Sequence, residues 1–180
     1  SDYDTAPSDV AGLKKGDKLT AEQLPKLTTD GYTFAGWYNG ENEITTEYKI
    51  SSDLELSAKW TANTDTAYTV EHYQQNIADD GYTLVNADTE NKTGTTDENT
   101  TATAKDYAGF TANTVEQMKI AADGSTVVQI YYDRNKYTIT YKIDGEVYGE
   151  IEEYKYEETI TPKENLERYG YNFSGWSEIP

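Results

Sequence analysis

A heptad of the form G-Y-x-F-x-G-W occurs twice in this chain, at Gly31–Trp37 and again at Gly170–Trp176. The two copies hold two of the three tryptophans and two of the three phenylalanines. Identity at this level marks an internal repeat, so one small structural unit is used more than once. A glycine turn followed by alternating aromatics reads as a short strand. Tyr32 and Phe34 share one face by the period-two rule, and Trp37 falls on the other. A bulge at Gly36 would turn Trp37 back inward, and glycine inside a strand pattern often marks such a bulge. A small unit needs its largest side chain in the core. The expected core motif is therefore Gly31, Tyr32, Phe34, Gly36, Trp37 and Trp60, with Gly170, Tyr171, Phe173, Gly175 and Trp176 in the second copy. The competing reading is an exposed aromatic platform for sugar.

Cysteine is absent, which excludes disulfides and thiolate zinc sites. Small units must then hold together by packing alone, which is marginal at ~45–70 residues. The 17 tyrosines suit that task, since each buries a ring and keeps a hydroxyl for a polar partner. A net charge of −18 argues against nucleic acid and against anionic membrane surfaces. It suits a surface-exposed protein, and no apolar run reaches the ~18 residues of a membrane span.

Taken in order, Ser1–Pro7 is polar and reads as a linker. Val10–Leu13 is a weak strand candidate. Thr20 and Gln23 have capping-box spacing, but Pro25 allows one helical turn at most. Asn39-Gly40 signals a turn, and Asp53–Trp60 alternates as a strand. Thr61–Thr66 reads as a polar linker with some hinge freedom. A second unit opens with Tyr68–Tyr73, where Tyr68, Val70 and His72 share a face, and Asp79–Gly81 turns into a return strand at Tyr82–Ala87. Thr100–Tyr107 is a candidate short helix closed by Gly109. Thr126–Asp133 is apolar on both faces and reads as a central strand. Arg134–Lys136 is the shorter and stiffer joint. Tyr137–Ile143 alternates, Asp144-Gly145 makes a hairpin turn, and Val147–Tyr156 returns. Thr161-Pro162-Lys163-Glu164 then has the residues of a helix start, with Gly170 as its stop.

Residues 10–60 resemble a Listeria–Bacteroides repeat, the B-repeat of internalin-type surface proteins. The resemblance rests on Gly-Tyr-Thr-Phe-Ala-Gly-Trp-Tyr at 31–38 and Leu-x-Leu-x-Ala-Lys-Trp at 54–60. Residues 137–180 resemble a variant of it, through Thr-Ile-Thr-Tyr-Lys-Ile-Asp-Gly and Gly-Tyr-Asn-Phe-Ser-Gly-Trp. Residues 67–135 are similar to mucin-binding-protein repeats, through Tyr-Thr-Val-Glu-His-Tyr and Val-Val-Gln-Ile-Tyr-Tyr. These resemblances imply a mainly β (α+β) chain of tandem small ubiquitin-like β-grasp modules with short helices. The expected units are 1–60, a linker at 61–66, 67–135, and 136–180. The first is expected to lack part of its opening strand, and the last to be truncated at its C-terminal side.

Catalytic chemistry finds little support. His72 is the single histidine, so multi-His zinc sites and Cys–His catalysis are excluded. No Gly-x-Ser-x-Gly elbow accompanies it. Asp88–Gly94 has the faint outline of a calcium loop, but Lys92 occupies a ligand position and Gly94 falls one residue late. The expectation is a non-enzymatic chain without cofactor or metal. It would serve as an extracellular repeat region of a bacterial cell-surface protein, a stalk or spacer with a role in adhesion. The alternative is a glycan (mucin)-binding module using exposed Tyr and Trp. Expected partners are a surface protein or glycan, and edge strands of a second copy; nucleic acid and membrane insertion are not expected.

Overall fold

The computed structural model describes residues 8–164 and 166–177. The expected linker Ser1–Pro7 lies outside them. The described residues are mainly β, in several small sheets arranged along the sequence.

The N-terminal sheet has three strands, β1 (Tyr32–Asn39), β2 (Asn42–Ile44) and β3 (Ser57–Ala62), in the order β2-β1-β3. Both neighbours run antiparallel to β1. Pairing of β1 with β3 shifts register between Phe34 and Gly36, which is a bulge, and Gly36 holds a φ of 135°. The shift returns Trp37 to the covered side, where it is 8% exposed beside buried Ile44 and Leu19. Thr20 and Gln23 make the reciprocal capping-box bonds, yet only one turn follows before Pro25. Val10–Leu13 forms no strand, and the strand read from Asp53 begins at Ser57.

The central sheet is mixed. Its strands are β4 (Thr66–Gln75), β5 (Tyr82–Leu84), β6 (Glu90–Gly94), β7 (Phe110–Ala112) and β8 (Val127–Arg134). β4 pairs in parallel with β8, and takes β5 and β6 antiparallel along different parts of its length. β7 closes the far side of β8. A parallel pair needs a long crossover; here residues 76–126 supply it, adding β5, β6 and β7 to the sheet, while the segments around Ala102 and Ile120 cover one face. Tyr68 and Val70 of β4 and Val128, Ile130 and Tyr132 of β8 point into that face and meet Ala102 and Ile120. Each such side chain contributes about 1.5–3 kcal/mol by leaving water. The other face is open: Val127 and Gln129 are exposed, so β8 is central in the sheet but covered on one side only.

Among the described residues neither expected helix is found, and the one helical element is a single 3-10 turn at Asn86–Asp88. At Thr100–Tyr107 tertiary acceptors take the backbone donors that a helix would use. Thr100 N–H donates to Met118 O, Ala102 N–H to Gln117 Oε1 and Lys105 N–H to the Tyr132 hydroxyl. β-Branched threonines make the helical alternative weak. Thr161–Glu164 is likewise non-helical: Lys163 N–H reaches the Tyr141 hydroxyl, and Lys163 O accepts from Trp176 Nε1.

The C-terminal stretch forms two ribbons from β9 (Lys136–Ile139), β10 (Lys142–Ile143), β11 (Glu146–Val147) and β12 (Glu152–Lys155). β10 and β11 are joined by Asp144 and Gly145, both at positive φ, as a type I′ turn requires. β12 pairs with β9. Thus both long strands read from the sequence here break in two.

Both joints between the sheets are short. Thr61, Ala62 and Thr66 belong to strands, leaving Asn63–Asp65 between sheets. That short turn is hydrogen-bonded: Asn63 N–H donates to Gly31 O, Thr96 N–H to Asn63 O, and Thr96 Oγ1 to Gly31 O at 2.8 Å. The Tyr32 hydroxyl adds a bond to Asp97. At the second joint Asn135 alone separates β8 from β9. Arg134 Nη1 reaches Tyr156 O and Glu157 Oε2, both at 2.9 Å. Hydrogen bonds thus span the first joint, and the Arg134 side chain spans the second.

Candidate functional site

The first copy of the repeated motif is an aromatic cluster built across β1 and β3. Phe34 meets Trp37 edge to face at 5.7 Å and Trp60, its cross-strand partner, at 5.3 Å. Trp37 Nε1 donates to Pro25 O at 2.9 Å, so the capped turn before Pro25 positions an acceptor for the indole. Trp37 is buried, whereas Tyr32, Phe34, Gly31, Gly36 and Trp60 are half-buried.

In the second copy Phe173 meets Trp176 at 5.4 Å, again edge to face. Trp176 Nε1 donates to Lys163 O, and the indole lies 4.5 Å from the Tyr141 ring. Gly170, Tyr171, Phe173 and Gly175 are exposed and Trp176 is half-buried. Residues 172–177 pair with no strand among the described residues.

The central sheet holds two polar constellations on opposite faces. On the covered face His72 is fully buried. Its Nδ1 lies 2.7 Å from the Tyr132 hydroxyl and its Nε2 3.0 Å from Glu90 Oε1. A carboxylate only accepts, so Nε2 carries a proton. The Tyr132 hydroxyl accepts from Lys105 N–H and has its own proton left for Nδ1. Every buried group is then satisfied. Lys105 Nζ and the Tyr107 hydroxyl converge on Asp88. Asp88 is held below the usual carboxylate range, first by the Tyr107 hydroxyl and then by Lys105. Glu90 is lowered too, first by His72; burial opposes this, and Lys92 and Lys105 assist. Burial, and then Asp88, push Tyr107 upward. The ring is locked among packed neighbours, which is the geometry of a structural hub rather than of a nucleophile or base facing a cleft.

On the open face Tyr73 and Tyr131 stack at 5.2 Å across the parallel pair, and Tyr82 meets Tyr131 edge to face at 5.0 Å. Their hydroxyls are tied to polar neighbours: Tyr73 donates to Glu71, Tyr131 to Gln129 and Tyr82 to Asp133. Rings beside carboxylate and amide groups are the materials of a carbohydrate contact, since rings pack on C–H faces and polar groups bond hydroxyls. The strands read at Tyr68–Tyr73, Tyr82–Ala87 and Thr126–Asp133 hold these three tyrosines, but the sequence did not bring them together. Parallel register joined residues far apart in sequence, and alternation alone carries no such signal.

Among the described residues no group of three or more His, Cys, Asp or Glu side chains is placed to hold a metal ion. The segment with the outline of a calcium loop is strand β6 from Glu90 to Gly94, paired with β4. No helix among the described residues is long and apolar enough to cross a membrane.

Neither a curated protein nor a solved structure matches the chain. The family description "Listeria-Bacteroides repeat domain" matches residues 4–62 and 137–179, which flank the central sheet and contain both G-Y-x-F-x-G-W copies. These matches cover more than half of the sequence, and the chain belongs to the Listeria-Bacteroides repeat family.

Proposed function

We propose that this chain is a non-catalytic repeat region of a bacterial surface protein, extracellular, and serving as a spacer that carries adhesive surfaces outward. Its units are 1–60, 67–135 and 136–180, each a variation on a ubiquitin-like β-grasp module. The mixed central sheet supports that last point: it has a parallel middle pair and one face covered by its crossover, which here is extended rather than helical. The single observation that carries the spacer reading is the construction of the joints. A spacer must transmit length, and here Thr96 bonds Asn63 in the first joint and Gly31 beside the N-terminal sheet, while Arg134 clamps the second joint. Domain pairs without a large interface otherwise move freely. The test is small-angle scattering with end labels. A narrow distance distribution supports a spacer, and one that broadens in Thr96→Val identifies the pin. A broad distribution in the parent chain would refute it.

The second reading, a glycan-binding module, is favoured by the open tyrosine face of the central sheet. Its resemblance to mucin-binding repeats concerns the same residues. A glycan array with the parent chain and Tyr131→Ala tests it. Binding that is lost in the variant supports the reading, and no binding at high protein concentration removes it.

A further inference from the structure

The open face of the central sheet carries negative charge with no cation beside it. Alternation along the paired strands turns Glu71 and Tyr73 of β4 outward, with Gln129, Tyr131 and Asp133 of β8. Tyr82 of β5 reaches across β4 to Asp133 on β8, so its ring lies along the sheet. The two carboxylates and the three tyrosine rings are all half-buried. Each carboxylate is bonded on one oxygen. Glu71 Oε2 accepts from the Tyr73 hydroxyl at 2.7 Å and from Gln129 Nε2 at 3.3 Å. Asp133 Oδ1 accepts from the Tyr82 hydroxyl and from Asn113 Nδ2, the latter at 3.3 Å. All these donors are neutral. Among the described residues nothing donates to Glu71 Oε1 or Asp133 Oδ2, and neither carboxylate stands in an ion pair. The cations carried by these five strands, Lys92 and Arg134, alternate to the covered side, opposite Tyr68 and Phe110.

We propose that this face binds a short oligosaccharide carrying primary amines, of the class of de-N-acetylated hexosamine oligomers. Its ammonium groups meet Glu71 Oε1 and Asp133 Oδ2, and its rings pack on Tyr73, Tyr82 and Tyr131. The inference rests on the glycan reading and narrows it to one chemistry. Glu71 stands opposite Gln129, and Asp133 lies four residues further along β8, so the carboxylates are ~13 Å apart along the strands. That is the span of several linked pyranose rings, whereas a single ammonium group reaches only one carboxylate. An ammonium adds a charge-assisted hydrogen bond to an oxygen that lacks a donor, and it is attracted to tyrosine ring faces. N-Acetylation removes that charge and leaves only the ring contacts. An acidic glycan meets two carboxylates with no cation to offset them, and the net charge of −18 adds to its rejection.

The test is calorimetric titration of the full chain at mildly acidic pH with the glucosamine trimer, the N-acetylglucosamine trimer, the galacturonic acid trimer and trilysine. The glucosamine trimer should bind about tenfold tighter than its N-acetylated form, the worth of one charge-assisted hydrogen bond. Glu71→Gln with Asp133→Asn keeps an acceptor for each tyrosine and should erase that difference. Glu146→Gln with Glu150→Gln removes the same charge from exposed side chains elsewhere and should leave it intact. Equal binding of the two hexosamine trimers would overturn the proposal and leave the glycan reading standing, as would tighter binding of the acidic trimer. Trilysine binding as tightly as the glucosamine trimer would overturn it by giving the face to a cationic peptide. A tenfold preference that survives Glu71→Gln with Asp133→Asn, or is lost in Glu146→Gln with Glu150→Gln, would overturn it by reducing the effect to net charge. No binding of any trimer at millimolar concentration would remove the proposal and the glycan reading together.

Discussion

Tyr156 lays its ring against the bare backbone of Gly109, so close that a β-carbon at Gly109 would overlap the ring. Gly109 holds a φ of 78°, accepts Asn135 N–H on its carbonyl, and lies beside Phe110, which meets Tyr156 edge to face at 6.0 Å. This contact joins the central sheet to the C-terminal ribbons. Gly109→Ala should cost about 1–2 kcal/mol from the left-handed backbone and about 1–3 more from displacing the ring. Gly145→Ala, with a φ of 89° and open space around it, should cost only the first part. Urea melts of both variants, with Gly109→Ala/Tyr156→Ala recovering part of the difference, check the assignment.

Trp37→Ala should destabilise the N-terminal sheet by about 3–5 kcal/mol as a truncation of a buried side chain. Trp176→Ala should cost less, because its indole is half-buried rather than buried. Denaturation followed separately for each unit measures both. A loss below about 1 kcal/mol at Trp37 would return the motif to the exposed-platform reading.

Tyr132→Phe should cost about 1–3 kcal/mol, because it orphans the buried His72 Nδ1 and Lys105 N–H together. Amide exchange should localise the loss to the central sheet.

Acid should weaken the same region. Asp88 and Glu90 are both held below their ordinary values in the folded chain. The unfolded chain therefore takes up protons first as pH falls. Their stabilisation is complete above the ordinary carboxylate values of 3.8 and 4.5 and is lost as pH falls through their folded values. Asp88→Asn with Glu90→Gln should flatten the acid limb of a stability-against-pH curve relative to the parent.

Alkali should act on the tyrosines. Donation to Glu152, then burial, pushes Tyr154 up to about 12, and Tyr73, Tyr82 and Tyr132 are also raised. Groups raised in the folded state stabilise it fully below the ordinary value of 10.0 and lose that contribution as pH rises through the folded values. Absorbance at the tyrosinate band should show a delayed fraction in the folded chain that disappears in urea. Glu152→Gln should bring Tyr154 back toward its ordinary range.

Local chemistry determined much of this protein. Alternation in Tyr68–Tyr73 marks a strand with Tyr68, Val70 and His72 on one face, because side chains repeat every two residues whatever the partner. Asp144-Gly145 marks a hairpin because that turn needs two positive φ values. Glycine within the aromatic heptad marks the bulge at Gly36. Competition between local and distant partners was decided only in three dimensions. Thr161-Pro162-Lys163-Glu164 has the residues of a helix start, yet Tyr141 and Trp176 take the Lys163 backbone groups and these four residues are not helical. Thr61–Thr66 has the composition of a linker, yet Thr96 and Gly31 bind its backbone. Tyr73 stacks on Tyr131 because β4 and β8 run parallel in one register, a long-range choice set by the buried faces of both strands. Capping and turn preferences are worth about a kcal/mol each, and a buried side chain or a satisfied buried donor is worth as much or more. Where the two disagree, packing wins.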